Sequence, residues 1–151
     1  MIPKLKIIPL GGLGEIGKNM TAYEFGSDII VVDCGMGFPD EDMYGVDIVL
    51  PDISYLKSNA SRIRGIVVTH GHEDHIGATP YIFREVNAPV YGSRLTMALV
   101  DHKLKEHRVQ GIQLNVVKPG DKVKIGTNFE VEFIKVSHSI AGAFALAIKT
   151  P

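Results

Sequence analysis

The sequence lacks the features of secreted and membrane proteins. It has no tryptophan and a single cysteine, Cys34, which excludes an internal disulfide and is typical of a reducing compartment. No apolar run approaches the roughly 20 residues that cross a bilayer, and the start of the chain, Met1-Ile2-Pro3-Lys4, does not have the profile of a signal peptide. We therefore expect a cytoplasmic protein without a membrane partner.

An excess of charge of one sign is also missing. The chain of 151 residues contains 16 basic and 17 acidic side chains, so its formal net charge is −1. This balance is not that of a protein that holds nucleic acid by a basic face alone. Bound divalent cations would nevertheless attract phosphate groups by themselves. The charge balance therefore weakens a nucleic-acid function without excluding it.

The sequence is rich in metal-binding side chains at one point. Residues 70–75 read His-Gly-His-Glu-Asp-His and directly follow an apolar run that predicts a buried strand. If the backbone stays extended, His70 and His72 point to the same side and can bind one ion together, whereas Asp74 and His75 can turn toward a second ion. Imidazole and carboxylate ligands suit zinc, with manganese as the alternative. A solvated loop that is histidine-rich by chance is the competing interpretation.

Two other predicted strand ends carry candidate residues. Asp33 ends a strand, where its carboxylate either caps a turn or accepts the N–H of an imidazole that binds metal. His138 follows an alternating strand and so lies at a strand end, as His70 does; it can supply a ligand that tetrahedral zinc still needs. For Cys34 we expect a small buried side chain rather than a metal ligand.

The remaining patterns predict an α/β protein of one domain, since 45% of its residues are hydrophobic. A helix is expected over 94–106 with Ser93 as its N-cap, and a second helix from a Thr79 cap to about residue 86. The glycine-rich segment 11–19 either cradles a phosphate or forms a tight structural turn, and the turn is favoured because no dinucleotide or Walker pattern is present. Strands are predicted near 4–10, 21–25, 29–33, 65–69, 88–91, 112–117, 122–125, 129–136 and 143–148.

Several motifs together resemble one known family. They are Gly11-Gly12-Leu13-Gly14-Glu15-Ile16-Gly17-Lys18-Asn19, Asp33-Cys34-Gly35, Phe38-Pro39, the histidine motif from Thr69 to Gly77, and His138-Ser139-Ile140. The histidine motif alone resembles the signature of metallo-β-lactamase-fold hydrolases. With the glycine-rich opening, the chain resembles the N-terminal part of the ribonuclease J family, RNA-degrading nucleases of bacteria and archaea, from about residue 4 to residue 151.

This resemblance implies a metallo-β-lactamase fold, an αββα sandwich with two divalent metal ions between its sheets. One ion would be held by His70, His72 and His138, and the other by Asp74 and His75. Asp33 would hydrogen-bond to a ligand, and Asp74 would orient the attacking water or take its proton. The resemblance also implies 5′ to 3′ exonuclease and endonuclease activity in RNA processing, including that of rRNA, and in RNA decay, with homo-oligomers and other RNA-decay proteins as partners.

The chain also departs from that family. A later aspartate that bridges the metals, a further histidine, the inserted β-CASP domain and the C-terminal domain cannot lie in residues 1–151, and Ala141-Gly142 replaces the usual Pro-Asp. We therefore expect the N-terminal half of the sandwich, a mixed sheet with flanking helices, that is weak or inactive alone. Two alternatives stay open: a single-domain metallo-hydrolase acting on a thioester, lactone or β-lactam, and a non-catalytic metal-binding or dimerisation module.

Overall fold

Two β-sheets and four short helices make up the structure, a computed structural model that describes residues 3–151. Met1 and Ile2 lie outside these residues. They belong to the start of the chain, for which the sequence predicts no signal peptide. The strands are β1 (Lys6–Gly11), β2 (Met20–Phe25), β3 (Asp28–Val32), β4 (Ile63–Val67), β5 (Val90–Gly92), β6 (Leu114–Val116), β7 (Lys122–Ile125), β8 (Phe129–Lys135) and β9 (Phe144–Lys149). The helices are α1 (Ser54–Ser58), α2 (Glu73–Ile76), α3 (Thr79–Ile82) and α4 (Arg94–Glu106), and a 3-10 turn spans Ala60–Arg62.

The first sheet is mixed and has the order β1-β2-β3-β4-β5-β6. β2 pairs antiparallel with both β1 and β3, with Gly26 and Ser27 at the turn between β2 and β3, whereas β3, β4, β5 and β6 run parallel to one another. The second sheet is antiparallel, with the order β7-β8-β9. Because β3, β4, β5 and β6 are parallel, their carboxyl ends meet at one edge of the first sheet. That edge carries the candidate site.

The core is divided between the two faces of the first sheet. Ile29 and Val31 of β3 pack toward the helices, whereas Ile30 packs toward the second sheet. β3 and β4 are therefore buried on both faces, which explains their continuous apolar sequences. In the layer between the sheets, Phe133 and Phe144 meet edge to face with ring centroids 5.4 Å apart. The layers follow the order helices, sheet, sheet, as expected for this part of an αββα sandwich.

A buried carboxylate joins the two sheets. Asp28, in the turn that begins β3, is 1% exposed and accepts hydrogen bonds from the backbone N–H groups of Thr127 and Asn128 in the β7–β8 turn. Its other oxygen lies 2.8 Å from Nε of Arg64. A buried charge is tolerated only when it is paired and hydrogen-bonded in this way. The contact fixes how the second sheet lies on the first.

The helices follow the predicted pattern with one exception. Ser93 caps α4, since its side-chain oxygen accepts the N–H of Thr96. The prediction of a long helix capped by Thr79 is wrong: α3 has a single turn, and Ala78 is its N-cap. The reason is that the Thr79 hydroxyl donates to the carbonyl oxygen of Ile76, 2.7 Å away, and is not free to cap. None of the helices in the described part of the chain has the length and apolar character needed to cross a membrane.

Candidate metal centre

Four imidazoles and two carboxylates converge at the edge where the parallel strands end. Asp33 directly follows β3, and the stretch from His70 to His75 follows β4. His138 comes from the other sheet, on the loop that joins β8 to β9. This loop is tied to the end of β4 because the Phe144 N–H donates to the Thr69 carbonyl oxygen, 2.9 Å away. The two sheets therefore each contribute side chains to one site.

Three of the imidazoles form a group that fits a metal ion. Nε2 of His70 lies 3.1 Å from Nδ1 of His72 and 3.1 Å from Nε2 of His138, and the nitrogens of the three rings all lie within 4.8 Å of one another. Ligands at the usual zinc–nitrogen distance of about 2 Å in a tetrahedron are themselves about 3.3 Å apart. The two short separations match this value, so the group suits a tetrahedral ion.

The electrostatics of this group favour neutral rings. Burial, and secondarily the neighbouring imidazoles of His75, His138 and His72, lower the pKa of His70 to about 4. His70 is 8% exposed, whereas His72 is half-buried and His138 is exposed. At neutral pH the His70 ring is therefore uncharged, which is the form that offers a lone pair to a metal.

Asp74 and His75 form a second pair beside the first group. Asp74 Oδ2 lies 3.4 Å from Nε2 of His75, and the His70 and His75 ring centroids are 4.0 Å apart. Burial lowers the pKa of His75, but the hydrogen bond and the charge of Asp33, together with the charge of Asp74, outweigh it and raise this pKa above its ordinary value. The surroundings of His75 therefore attract positive charge, either a proton or a metal ion.

Asp33 contacts both the backbone and an imidazole. Its Oδ2 lies 2.8 Å from Nδ1 of His75, and its Oδ1 accepts the Thr69 N–H at 2.8 Å. Of the two roles considered for Asp33, the geometry contains the contact with an imidazole, whereas its other oxygen binds the backbone just beyond the neighbouring strand β4 and does not cap a local turn. The contact holds the proton on Nδ1 and leaves Nε2 of His75 directed at Asp74.

Asn19 is a site residue that sequence reasoning missed. Its side-chain amide nitrogen lies 3.1 Å from both the carbonyl and the carboxylate Oδ2 of Asp74, and 3.3 Å from Nε2 of His75. The backbone carbonyl oxygen and Oδ2 of Asp74 can only accept hydrogen bonds, so the Asn19 amide must present its NH₂ group to them. Asn19 ends the glycine-rich segment and lies 55 residues before Asp74, so only the folded chain brings them together.

The glycine-rich segment itself forms a tight turn that is held by contacts within the segment. The Gly12 N–H donates to the Glu15 carboxylate at 3.0 Å, and the other oxygen of Glu15 pairs with Lys18 Nζ at 2.8 Å. Lys18 is therefore already paired, as a structural turn requires. Gly35 supports the same arrangement, since a Cβ there would overlap the carbonyl oxygen of Asp74. Cys34 beside it is fully buried, and burial raises the pKa of its thiol, in agreement with a packing role.

Comparison with known proteins identifies the family. The profile of the metallo-beta-lactamase superfamily matches residues 13–142, which include every candidate ligand described above. The chain belongs to the metallo-beta-lactamase superfamily. This membership implies that the site binds divalent metal, and the imidazole group at His70, His72 and His138 is suited to hold it.

Within this superfamily the chain is similar to the N-terminal portion of ribonuclease J, so the resemblance found in the sequence is confirmed. It is 50% identical over 149 residues to ribonuclease J from Synechocystis sp. and 47% identical over 148 residues to that from Helicobacter pylori. Both alignments cover 97% of this chain. They cover only 23% and 21% of the two relatives, so the chain spans less than a quarter of their length.

Solved structures show the same fold at low sequence identity. A protein of unknown function from Enterococcus faecalis superimposes with a TM-score of 0.72 at 21% identity, covering 98% of this chain and 41% of that one. The Rm3 metallo-beta-lactamase superimposes with a TM-score of 0.64 at 15% identity, covering 99% of this chain and 58% of that one. The predicted metallo-β-lactamase fold, a mixed sheet with flanking helices, is therefore confirmed.

Proposed function

We propose that this chain carries the metal-binding part of a nuclease centre that hydrolyses RNA phosphodiester bonds. The observation that carries the proposal is the convergence of His70, His72 and His138 on one point, with Asp74 and His75 beside it, in a chain similar to ribonuclease J over 97% of its length. In the whole protein we expect 5′ to 3′ exonuclease and endonuclease activity. We expect the chain alone to be weak or inactive, because it spans less than a quarter of the length of those ribonuclease J relatives.

Each side chain has a task in this proposal. His70, His72 and His138 would hold one divalent ion, and Asp74 and His75 the other, with zinc expected and manganese as the alternative. Bound there, the ions would supply Lewis acidity, which makes water a stronger acid and offsets the charge of a phosphodiester. Asp33 holds the His75 ring through Nδ1, so that Nε2 keeps its lone pair. Asp74 would orient the attacking water or accept its proton.

The wider expectations belong to the same proposal. The substrate would be RNA, met in the cytoplasm during rRNA processing and RNA decay, and the whole protein would form homo-oligomers and meet other RNA-decay proteins. Ile7 on the edge strand β1 is 60% exposed, and apolar surface of this kind would favour self-association. Size-exclusion chromatography with light scattering tests this point: we expect self-association, and a well-folded monomer would contradict it.

Two other functions compete with RNA hydrolysis. A hydrolase of thioesters, lactones or β-lactams would use the same ligands, because the metallo-beta-lactamase superfamily profile also matches. A non-catalytic metal-binding or dimerisation module would need the ligands but no substrate. The similarity to ribonuclease J at up to 50% identity favours RNA.

The deciding experiment compares substrates and a ligand variant. The zinc- or manganese-loaded chain is assayed at high concentration with 5′-phosphorylated RNA and with a thioester, and its metal content is measured. We expect residual turnover of RNA only, and for His72→Ala we expect a lower metal content and no RNA turnover. Turnover of the thioester in preference to RNA would refute the proposal, and metal binding with neither turnover of RNA nor affinity for it would support the non-catalytic module. Unchanged metal content in His72→Ala would refute the ligand assignment.

A further inference from the structure

A groove with a basic rim lies along the same sheet edge as the metal centre. It has a volume of about 350 Å³ and opens between the ends of β5 and β6 in the first sheet and the ends of β8 and β9 in the second. Arg94, Lys118 and Lys135 line it, together with apolar groups that include Val117 and Phe144. No acidic side chain lines it. Metal binding does not account for this combination of positive charge and apolar surface.

The three cations of the groove are available to a ligand. All three are exposed, and none forms an ion pair with a carboxylate of residues 3–151. By contrast, Lys18 and Lys103 are paired with Glu15 and Glu73. Three unpaired cations around one groove create a positive electrostatic potential, which attracts an anion that carries several charges.

The strand order places the groove next to the metal centre. His70 follows β4, Arg94 follows β5 and Lys118 follows β6, and these three strands are parallel neighbours. Neighbouring strands are about 4.8 Å apart, so the end of β6 lies roughly 10 Å from the end of β4 along the edge. A chain molecule that crosses the metal centre and continues along this edge would meet Arg94 and then Lys118.

The loop that carries His138 forms the wall between the two features. Val136 and Gly142 line the groove, and both belong to the segment that presents His138 to the other imidazoles. The segment is held against the first sheet, since a Cβ at Gly142 would lie 2.6 Å from Oγ of Ser93. The groove is therefore a fixed flank of the metal centre, and a polymer can occupy both at once.

We propose that this groove binds the phosphates of single-stranded RNA next to the bond that is cut. The inference rests on the proposed function and adds the path of the substrate to it. The cations would pair with successive phosphates, and the exposed apolar side chains of Val116 and Val136 in the groove would contact riboses and bases, as in grooves that track single strands without reading their sequence.

The test measures RNA binding as a function of salt. The probe is a fluorescein-labelled, phosphorothioate-linked single-stranded RNA, which resists hydrolysis, and fluorescence anisotropy gives its affinity for the metal-loaded chain. Three phosphate contacts on a single strand contribute a slope of about −2 in log affinity against log salt. Affinity for the wild-type chain should therefore fall by a factor of roughly 20 between about 50 and 200 mM salt through these contacts alone.

The decisive variant combines Arg94→Gln, Lys118→Gln and Lys135→Gln, and it should lose this part of the salt dependence. The matched control is Lys124→Gln, because Lys124 is also exposed and forms no ion pair among the described residues, but lies beside the β7–β8 turn, away from the groove. We expect wild-type binding from the control. Circular dichroism shows that each variant is folded.

Hydrolysis of ordinary RNA by the same variants separates the two proposals. If the triple variant binds RNA with the wild-type affinity and salt slope, the groove assignment is overturned, while RNA hydrolysis that depends on His72 leaves the proposed function standing. If the wild-type chain neither binds nor hydrolyses RNA, both the proposed function and the groove assignment are refuted.

Discussion

Replacing Asp33 by asparagine should damage one metal position and spare the other. Asp33 Oδ2 lies 2.8 Å from Nδ1 of His75, and a carboxylate can only accept there, so Nδ1 carries the proton. Asparagine has nearly the same shape, and its oxygen can still accept the Thr69 N–H that Oδ1 accepts now at 2.8 Å. Its NH₂ then faces Nδ1 and favours the other tautomer. In that tautomer Nε2, the atom that points at Asp74, carries the proton.

The size of the effect follows from this change of tautomer. Loss of a group that orients a metal-binding imidazole typically reduces metal affinity by 10- to 100-fold, or about 1.4 to 2.7 kcal/mol. The loss should fall on the ion assigned to Asp74 and His75. The ion assigned to His70, His72 and His138 should bind as before, since Asp33 contacts none of these rings within hydrogen-bonding distance.

Zinc titration against a chromophoric chelator resolves the two binding events. The wild-type chain should take up two ions, and Asp33→Asn should retain one and bind the second 10- to 100-fold more weakly. Asp101→Asn is the control, because Asp101 lies on α4 with a side chain 45% exposed and, among residues 3–151, pairs with Lys105 alone. If Asp33→Asn binds two ions with wild-type affinity, or loses the tighter one, the assignment of His75 to a second ion is wrong.

Two further predictions concern stability. The hydrogen bond from Lys6, together with weaker contacts, lowers the pKa of Glu24 from 4.5 to about 2. The ionised carboxylate should therefore stabilise the fold above about pH 4.5, by at most about 3 kcal/mol. This contribution should be lost as the pH falls toward 2. In urea titrations Glu24→Gln should accordingly be less stable than wild type at pH 7, with the gap closing in acid; a gap independent of pH would contradict this. Gly35→Ala should lower the free energy of unfolding by about 3 kcal/mol or more and reduce zinc uptake, because the new Cβ would overlap the Asp74 carbonyl. Gly111→Ala is the control, since Gly111 has open space around it and a φ of +81°. This control should lower the free energy of unfolding by only about 1 to 2 kcal/mol and leave zinc uptake unchanged. Equal zinc uptake by the two glycine variants would refute the second prediction.

The parts of the site that could be predicted from sequence are those set by local rules. His70 and His72 stand two residues apart after an apolar strand, so extended backbone alone brings them together. Asp33 and His138 were identified because each ends a strand with a recognisable pattern. Ser93 was identified as a cap by residue type and position, and the structure confirms it.

The parts that could not be predicted depend on the closure of the fold. Asn19 has no local pattern that distinguishes it from a turn residue, and its contact with Asp74 forms only when β2 and β3 bring the glycine-rich turn over the end of β4. Thr79 was misassigned because a threonine before proline fits a helix cap, yet a carbonyl oxygen in the preceding turn takes its hydroxyl. In both cases a side-chain hydrogen bond decided the outcome, and residue type alone does not reveal the partner of that bond.

The order of the parallel strands divides the sheet edge into zones of different charge. The end of β3 supplies Asp33, and the end of β4 supplies three of the four imidazoles and Asp74, so the acceptors for metal lie together. The ends of β5 and β6 supply Arg94 and Lys118, which cannot bind a metal and would repel it. If the cations stood at the end of β3, they would compete with the metal for Asp74 and His75. Separation by one or two strand spacings lets one edge attract both a cation and a polyanion, which a single mixed cluster would not do.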